Sequence, residues 1–200
     1  MMTHFRALTD LAIAGMAVAI IFRPQSANAV PIGIGAFSAS ATVINFDNLS
    51  GGADLSTGDI VTNQYAGLGV TFNDPDYPAR ANTSLQPGFS GSSAPNILFV
   101  QQHDGNPLGN PLQILFTTPQ LRVGMLWETS LGPQITMQAF GRSGLLETLT
   151  LTSGSSCQSA AGVCGFIGIE RSEGITRVEL SDPRSDIGFN FNFELDDVRF

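Results

Sequence analysis

Apolar and polar residues alternate along most of this chain, and alternation of period two is what a strand with one buried face requires. The pattern is clearest at the two ends of the region it covers. Ile44-Asn45-Phe46-Asp47-Asn48-Leu49 opens that region and Phe193-Glu194-Leu195-Asp196-Asp197-Val198-Arg199-Phe200 closes it, each placing Asp where the alternation stops. Between them Leu121, Val123, Met125 and Trp127 share one phase, Ile135, Met137 and Ala139 another, and Leu149 and Leu151 alternate with Thr148, Thr150 and Thr152. Further candidates are Val43 to Phe46, Gly69 to Phe72, Asn96 to Val100, Gln113 to Phe116, Ile167 to Ile169 and Val178 to Leu180. Trp127, in phase with its apolar neighbours, is assigned to the core. The segments on either side of Leu131-Gly132-Pro133 are expected to be neighbouring antiparallel strands. Gly, Pro, Asn and Ser separate the segments and no helical period competes, so the expected fold is all-β, an antiparallel β-sandwich of jelly-roll type. An outer-membrane barrel is the rival all-β reading. It fits less well, because Phe189 to Leu195 keep one phase that breaks at Asp196-Asp197, and one Trp and two Tyr cannot furnish aromatic girdles.

The first residues read as an address. Arg6, an apolar run from Leu11 to Phe22, and Ala27-Asn28-Ala29 form the pattern of a signal peptide over residues 1–29, with Asp10 out of place in it. The run falls short of the roughly 20 apolar residues that span a bilayer, which disfavours an uncleaved anchor. Residues 30–41 read as a flexible N-terminal arm and 42–200 as one β-sandwich domain. The chain has nine basic and seventeen acidic residues; a leader carrying Arg6, Arg23 and Asp10 leaves seven against sixteen, and there is no Lys. An acidic surface without a basic cluster argues against a nucleic-acid partner and against docking on anionic lipid. The expected location is periplasmic or extracellular, with no membrane insertion after cleavage.

Cys157 and Cys164, the only cysteines, flank a small polar loop. In an exported chain they are expected to form a disulfide stapling a hairpin, worth about 2 to 3 kcal/mol in the chain-entropy model. A redox or metal site lacks a C-x-x-C, and the mature chain's only histidine is His103.

The opening and closing segments, together with Asp59 to Phe72 (which contains Asn63-Gln64-Tyr65-Ala66-Gly67-Leu68-Gly69-Val70-Thr71-Phe72) and Ser93-Ala94-Pro95-Asn96-Ile97-Leu98, resemble the exported bacterial β-sandwich proteins often found with PEP-CTERM sorting tags. Such proteins are similar to carbohydrate-binding modules with the galactose-binding-like jelly roll. The resemblance implies a glycan or matrix polysaccharide as partner. The tag itself does not occur by Phe200, so the expectation is a freely exported protein.

Asp47, Asp196 and Asp197 are the candidate ligands of a structural Ca²⁺, a hard cation that takes six to eight oxygens. The bland alternative is solvated turn residues, and Asp54, Asp59, Asp74 and Asp76 are weaker candidates. Tyr77 in Asp76-Tyr77-Pro78 and Phe89 in Gly88-Phe89-Ser90 are candidate sugar-stacking rings on rigid loops. Catalytic motifs are lacking: Gly88-Phe89-Ser90-Gly91-Ser92 misses the last glycine of a nucleophile elbow, and there is no H-E-x-x-H. The expectation is a non-enzymatic module that binds carbohydrate or an extracellular matrix component. The alternatives are a structural or adhesive envelope protein without a small-molecule site, and a secreted glycan hydrolase using two carboxylates.

Overall fold

The computed structural model describes residues 31–49, 55–56, 58–73, 80–83, 91–93, 96–102, 111–129, 134–152, 155–156, 163–182 and 191–200. Ten strands run through them: β1 (Val43–Ile44), β2 (Val70–Asn73), β3 (Arg80–Thr83), β4 (Asn96–Gln102), β5 (Leu112–Thr129), β6 (Ile135–Gly141), β7 (Gly144–Leu151), β8 (Ser155–Ser156), β9 (Val163–Ser181) and β10 (Phe191–Arg199). All described pairings are antiparallel. Among the described residues the helical elements are two 3₁₀ turns, Ile34–Ala36 and Ala66–Leu68, and no helix is long and apolar enough to cross a membrane.

Two long strands make the sandwich. The ladder between β5 and β9 runs from Leu112↔Leu180 to Thr129↔Val163, with register shifts around Gln120. Along β5, Leu112, Ile114 and Phe116 are buried in alternation, Thr117 to Pro119 and Leu121 are exposed, and burial resumes at Val123. The exposed stretch is a bend, matched on β9 by Gly174, whose φ of +85° only glycine adopts without strain. The bends divide one hydrogen-bonded path into two layers. Layer I holds β3, β4, β10, the second half of β5, the first half of β9 and β8, with β1 beside β10; layer II holds β2, the first half of β5, the second half of β9, β6 and β7. Between them lie Trp127, Met125, Ile167, Phe193 and Leu195 from layer I and Ile114, Ile135, Met137, Val178 and Leu180 from layer II, all fully buried. The chain is an antiparallel β-sandwich, with Trp127 in its core.

Sequence and structure differ in pairing. The segments on either side of residues 131–133 are not neighbours: β9 lies between β5 and β6, pairing Leu180 with both Leu112 and Met137. Alternation fixes which face of a strand is buried and says nothing of which strand lies beside it. Gln113 to Phe116 and Leu121 to Trp127 are parts of one bent strand, as are Ile167 to Ile169 and Val178 to Leu180. Residues 32 and 37, within the segment expected as a flexible arm, touch layer I. Ile32 donates its N–H to the Gly168 carbonyl at 3.1 Å, Thr42 and Phe200 exchange backbone hydrogen bonds at 3.0 and 3.1 Å, and Phe37 packs edge-on against Phe166.

Candidate functional site

The first and last strands meet as their alternation suggests, through Val43↔Arg199 and Ile44↔Val198. Beyond that pair the backbone of both strands is irregular. Phe46 and Asp197 are the described non-glycine residues at positive φ, +57° and +49°, and the β10–β5 register shifts between Asp196 and Arg199. Left-handed non-glycine residues carry strain that the surrounding packing must hold, and they gather at functional sites. The break in phase at Asp196-Asp197 is thus a bulge, and it turns Asp196 inward to full burial.

Asp47 and Asp196 both lie near Tyr65, and Asp197 adjoins Asp196 through its backbone N–H. Asp47, 7% exposed, accepts the Asn96 N–H at 2.7 Å and the Asn45 amide at 3.0 Å. Asp196 accepts the Ser93 N–H, the Ser93 hydroxyl at 2.9 Å and the Asp197 N–H at 2.8 Å. Burial pushes the Asp196 carboxyl up to about 7, against the pull of those hydrogen bonds. Asp197 instead pairs with the Arg199 guanidinium at 2.8 Å. Tyr65, 1% exposed, packs against Phe46 and Phe72, and among the described residues its hydroxyl has no hydrogen-bond partner. Its pKa is raised by burial first and then by the charges of Asp47 and Asp196, so the hydroxyl lies in the field of both carboxylates. Among the described residues no group of three or more His, Cys, Asp or Glu is arranged to hold a metal. Tyr77, Phe89 and Cys157 lie outside the described residues; Cys164 is buried on β9 and is not a free thiol.

A second constellation occupies the outer face of layer II. The register Asn73↔Gln113↔Glu179↔Gln138↔Thr148 runs unbroken across β2, β5, β9, β6 and β7. Its side chains are linked in two runs. Asn73 donates to Gln113 Oε1 at 3.1 Å, Gln113 donates to Glu179 Oε1 at 3.1 Å, and Gln138 donates to Thr148 Oγ1 at 3.3 Å. On one side of this row the hydroxyls of Thr136 and Thr150 lie 2.9 Å apart. On the other side runs the parallel row Leu115↔Arg177↔Phe140↔Leu145. The Arg177 guanidinium lies 4.1 Å over the Phe140 ring and its Nε is 3.2 Å from Glu179. There an open pocket of about 400 Å³ is lined by Leu115, Phe140, Gly141, Arg142, Thr176 and Arg177 among others. This face was missed at the sequence level. Its residues are the outward phase of strands whose inward phase was legible, but the rows exist only once β9 lies between β5 and β6.

The outer face of layer I carries a different row, Phe99↔Glu194↔Glu128↔Cys164. Glu194 is half-buried beside Glu128, which is 9% exposed, and burial followed by the Glu128 charge pushes the Glu194 carboxyl up to about 7.

No family model matches the chain, and no curated protein matches it. Solved structures do. The K2 cleaved adhesin domain of Lys-gingipain is 11% identical, with a TM-score of 0.50 over 82% of this chain and 98% of that one. The K1 cleaved adhesin domain of Lys-gingipain from Porphyromonas gingivalis is 11% identical, with a TM-score of 0.46 over 80% and 97%. A family 29 carbohydrate-binding module is 9% identical, with a TM-score of 0.41 over 80% and 91%. The likeness to the K2 domain is one of fold.

Proposed function

We propose that this protein is a non-enzymatic, exported β-sandwich module that binds a glycan or matrix polysaccharide across the outer face of layer II. The observation that carries the reading is the five-strand row from Asn73 to Thr148 beside the Phe140 pocket. Amide, hydroxyl and carboxylate groups in register offer both donors and acceptors to successive sugar hydroxyls. Their mutual hydrogen bonds hold the side chains in place before a ligand arrives, which lowers the entropy lost on binding. Phe140 and Leu115 supply the apolar contact that the C–H face of a sugar ring needs. The adhesin-domain fold supports a binding role, as does the resemblance to tag-associated exported proteins. A glycan array probed with the mature protein tests this. Binding of at least one polysaccharide, weakened in Gln138→Ala, is expected; an array without signal would remove the reading.

Within the same proposal, Ca²⁺ would be held by Asp47 and Asp196, with further oxygens from carbonyls and water. Two buried carboxylates and a Tyr65 hydroxyl in their field, unpartnered among the described residues, are what support it. Asp197, committed to Arg199, drops out of the ligand set. Signal-peptide cleavage after Ala29 and a Cys157–Cys164 disulfide complete the exported form.

The glycan hydrolase is the second reading, and Glu128 opposite Glu194 is the observation that favours it, since a carboxyl of raised pKa beside a second carboxylate is an acid and base pair in outline. Turnover of an array-positive glycan, lost in Glu194→Gln, would establish it in place of the binding module.

A further inference from the structure

Resting on the glycan-binding reading of the layer II face, we propose that the pocket at its end takes a carboxylate-bearing sugar, a uronate unit of an acidic polysaccharide. The charge balance makes the pocket unusual. The chain has a formal net charge of −8 and no Lys, yet two guanidinium groups, Arg142 and Arg177, line this one cavity. Elsewhere Arg122 pairs with Glu170 at 2.9 Å, Arg199 with Asp197 at 2.8 Å, and Arg171 with Glu147. Arg142 is exposed, and among the described residues no carboxylate pairs with it. Arg177 meets Glu179 through Nε, and among the described residues no acceptor engages its two terminal nitrogens.

Geometry fixes the Arg177 guanidinium and the backbone that carries Arg142. Arg142 and Ser143 form the two-residue turn that joins Gly141 to Gly144, so the backbone under Arg142 is that of a tight hairpin. Arg177 is held flat by its contact with Phe140 and by Glu179. A guanidinium fork matches the planar carboxylate of a uronate in a way that a lone ammonium does not, and the adjoining Leu115 and Phe140 can cover the apolar face of the same ring. Neutral sugars would offer the two guanidiniums only uncharged hydroxyl acceptors, which bind them more weakly than a carboxylate does. The size suits the task, since about 400 Å³ lies within the range of small-ligand sites.

The experiment is isothermal titration of the mature protein with polygalacturonate, its methyl ester, dextran sulfate and a neutral xylan. Polygalacturonate is expected to bind, with methyl esterification and Arg142→Gln each weakening it about tenfold or more and Arg142→Gln adding nothing on the ester. Arg142 is exposed in a turn, so its replacement leaves folding intact, and a thermal melt verifies this. Equal binding of dextran sulfate and polygalacturonate, both insensitive to Arg142→Gln, would overturn the inference as unspecific attraction of a polyanion. Binding of xylan without polygalacturonate would overturn it while leaving the glycan-binding reading in place. Absence of all binding would end both.

Discussion

Replacing Gly174 by Ala attacks the bend that separates the two layers. A Cβ there would lie 2.7 Å from the Pro119 Cβ, closer than real contacts allow, and Pro119 is a ring that cannot rotate away. The backbone adds a second cost, because φ is +85°. A non-glycine residue in the left-handed region costs about 1 to 2 kcal/mol, and forcing a methyl into filled space costs about 1 to 3 kcal/mol. The sum is about 3 kcal/mol, which in a domain of this size lowers Tm by roughly 6 to 12 °C. Two controls separate the contributions. Gly144 has φ of +114° with nothing within 4 Å of its Cβ, so Gly144→Ala should lose about 1 kcal/mol from the backbone alone. Gly35, also in open space and without a positive φ, should lose only a few tenths of a kcal/mol. Urea and thermal unfolding of the three variants give the ladder. If Gly174→Ala is no worse than Gly144→Ala, the Pro119 contact is absent and the bend has been placed wrongly. The outcome bears on function too, since Thr176 and Arg177 follow Gly174 directly into the pocket.

A folded-state carboxyl raised from 4.5 to about 7 binds its proton more tightly than the unfolded chain does. The stability contributed by Glu194 is therefore full below about pH 4.5 and is lost as pH rises through about 7. Urea unfolding should show that fall between pH 5 and pH 8 shrinking in Glu194→Gln; an identical profile in the variant would deny the burial of this group. Millimolar calcium at a hundredfold excess over Kd should add about 2.7 kcal/mol, a rise in Tm of roughly 5 to 10 °C that Asp196→Asn abolishes. Equal melts in EDTA and calcium would leave Asp47 and Asp196 as acids held by hydrogen bonds alone. Intact-mass and non-reducing peptide mapping of exported protein should find Val30 first and Cys157 joined to Cys164. Retained leader, or two alkylated thiols, would contradict the exported form.

The sequence disclosed faces better than neighbours. Met125, Trp127, Ile135, Met137, Phe193 and Leu195 are all core residues whose phase can be read by counting in twos, because side chains on a strand must alternate. The bulge at Asp196-Asp197 was legible for the same reason: Val198 falls out of phase yet is buried. The pairing of the two ends was foreseeable from their matched pattern, but the capture of Asp197 by Arg199 depends on where the bulge points each side chain. The row from Asn73 to Thr148 was not legible. It gathers residues 73, 113, 138, 148 and 179, and only the register of five strands puts them in line. The two long strands were also hidden, because the exposed bend at Thr117 to Leu121 interrupts the alternation as a loop would.

The proposed function places ligand across the outer face of layer II. It is tested most directly by ¹⁵N and side-chain amide chemical-shift mapping of the mature protein, titrated with the polysaccharide fragment that scores highest on the array. The amides of Asn73, Gln113 and Gln138 and the Arg142 and Arg177 backbone are expected to shift together and saturate with one affinity. Shifts confined to Phe99, Glu128 and Glu194 on the opposite layer, with the layer II amides unmoved, would contradict it.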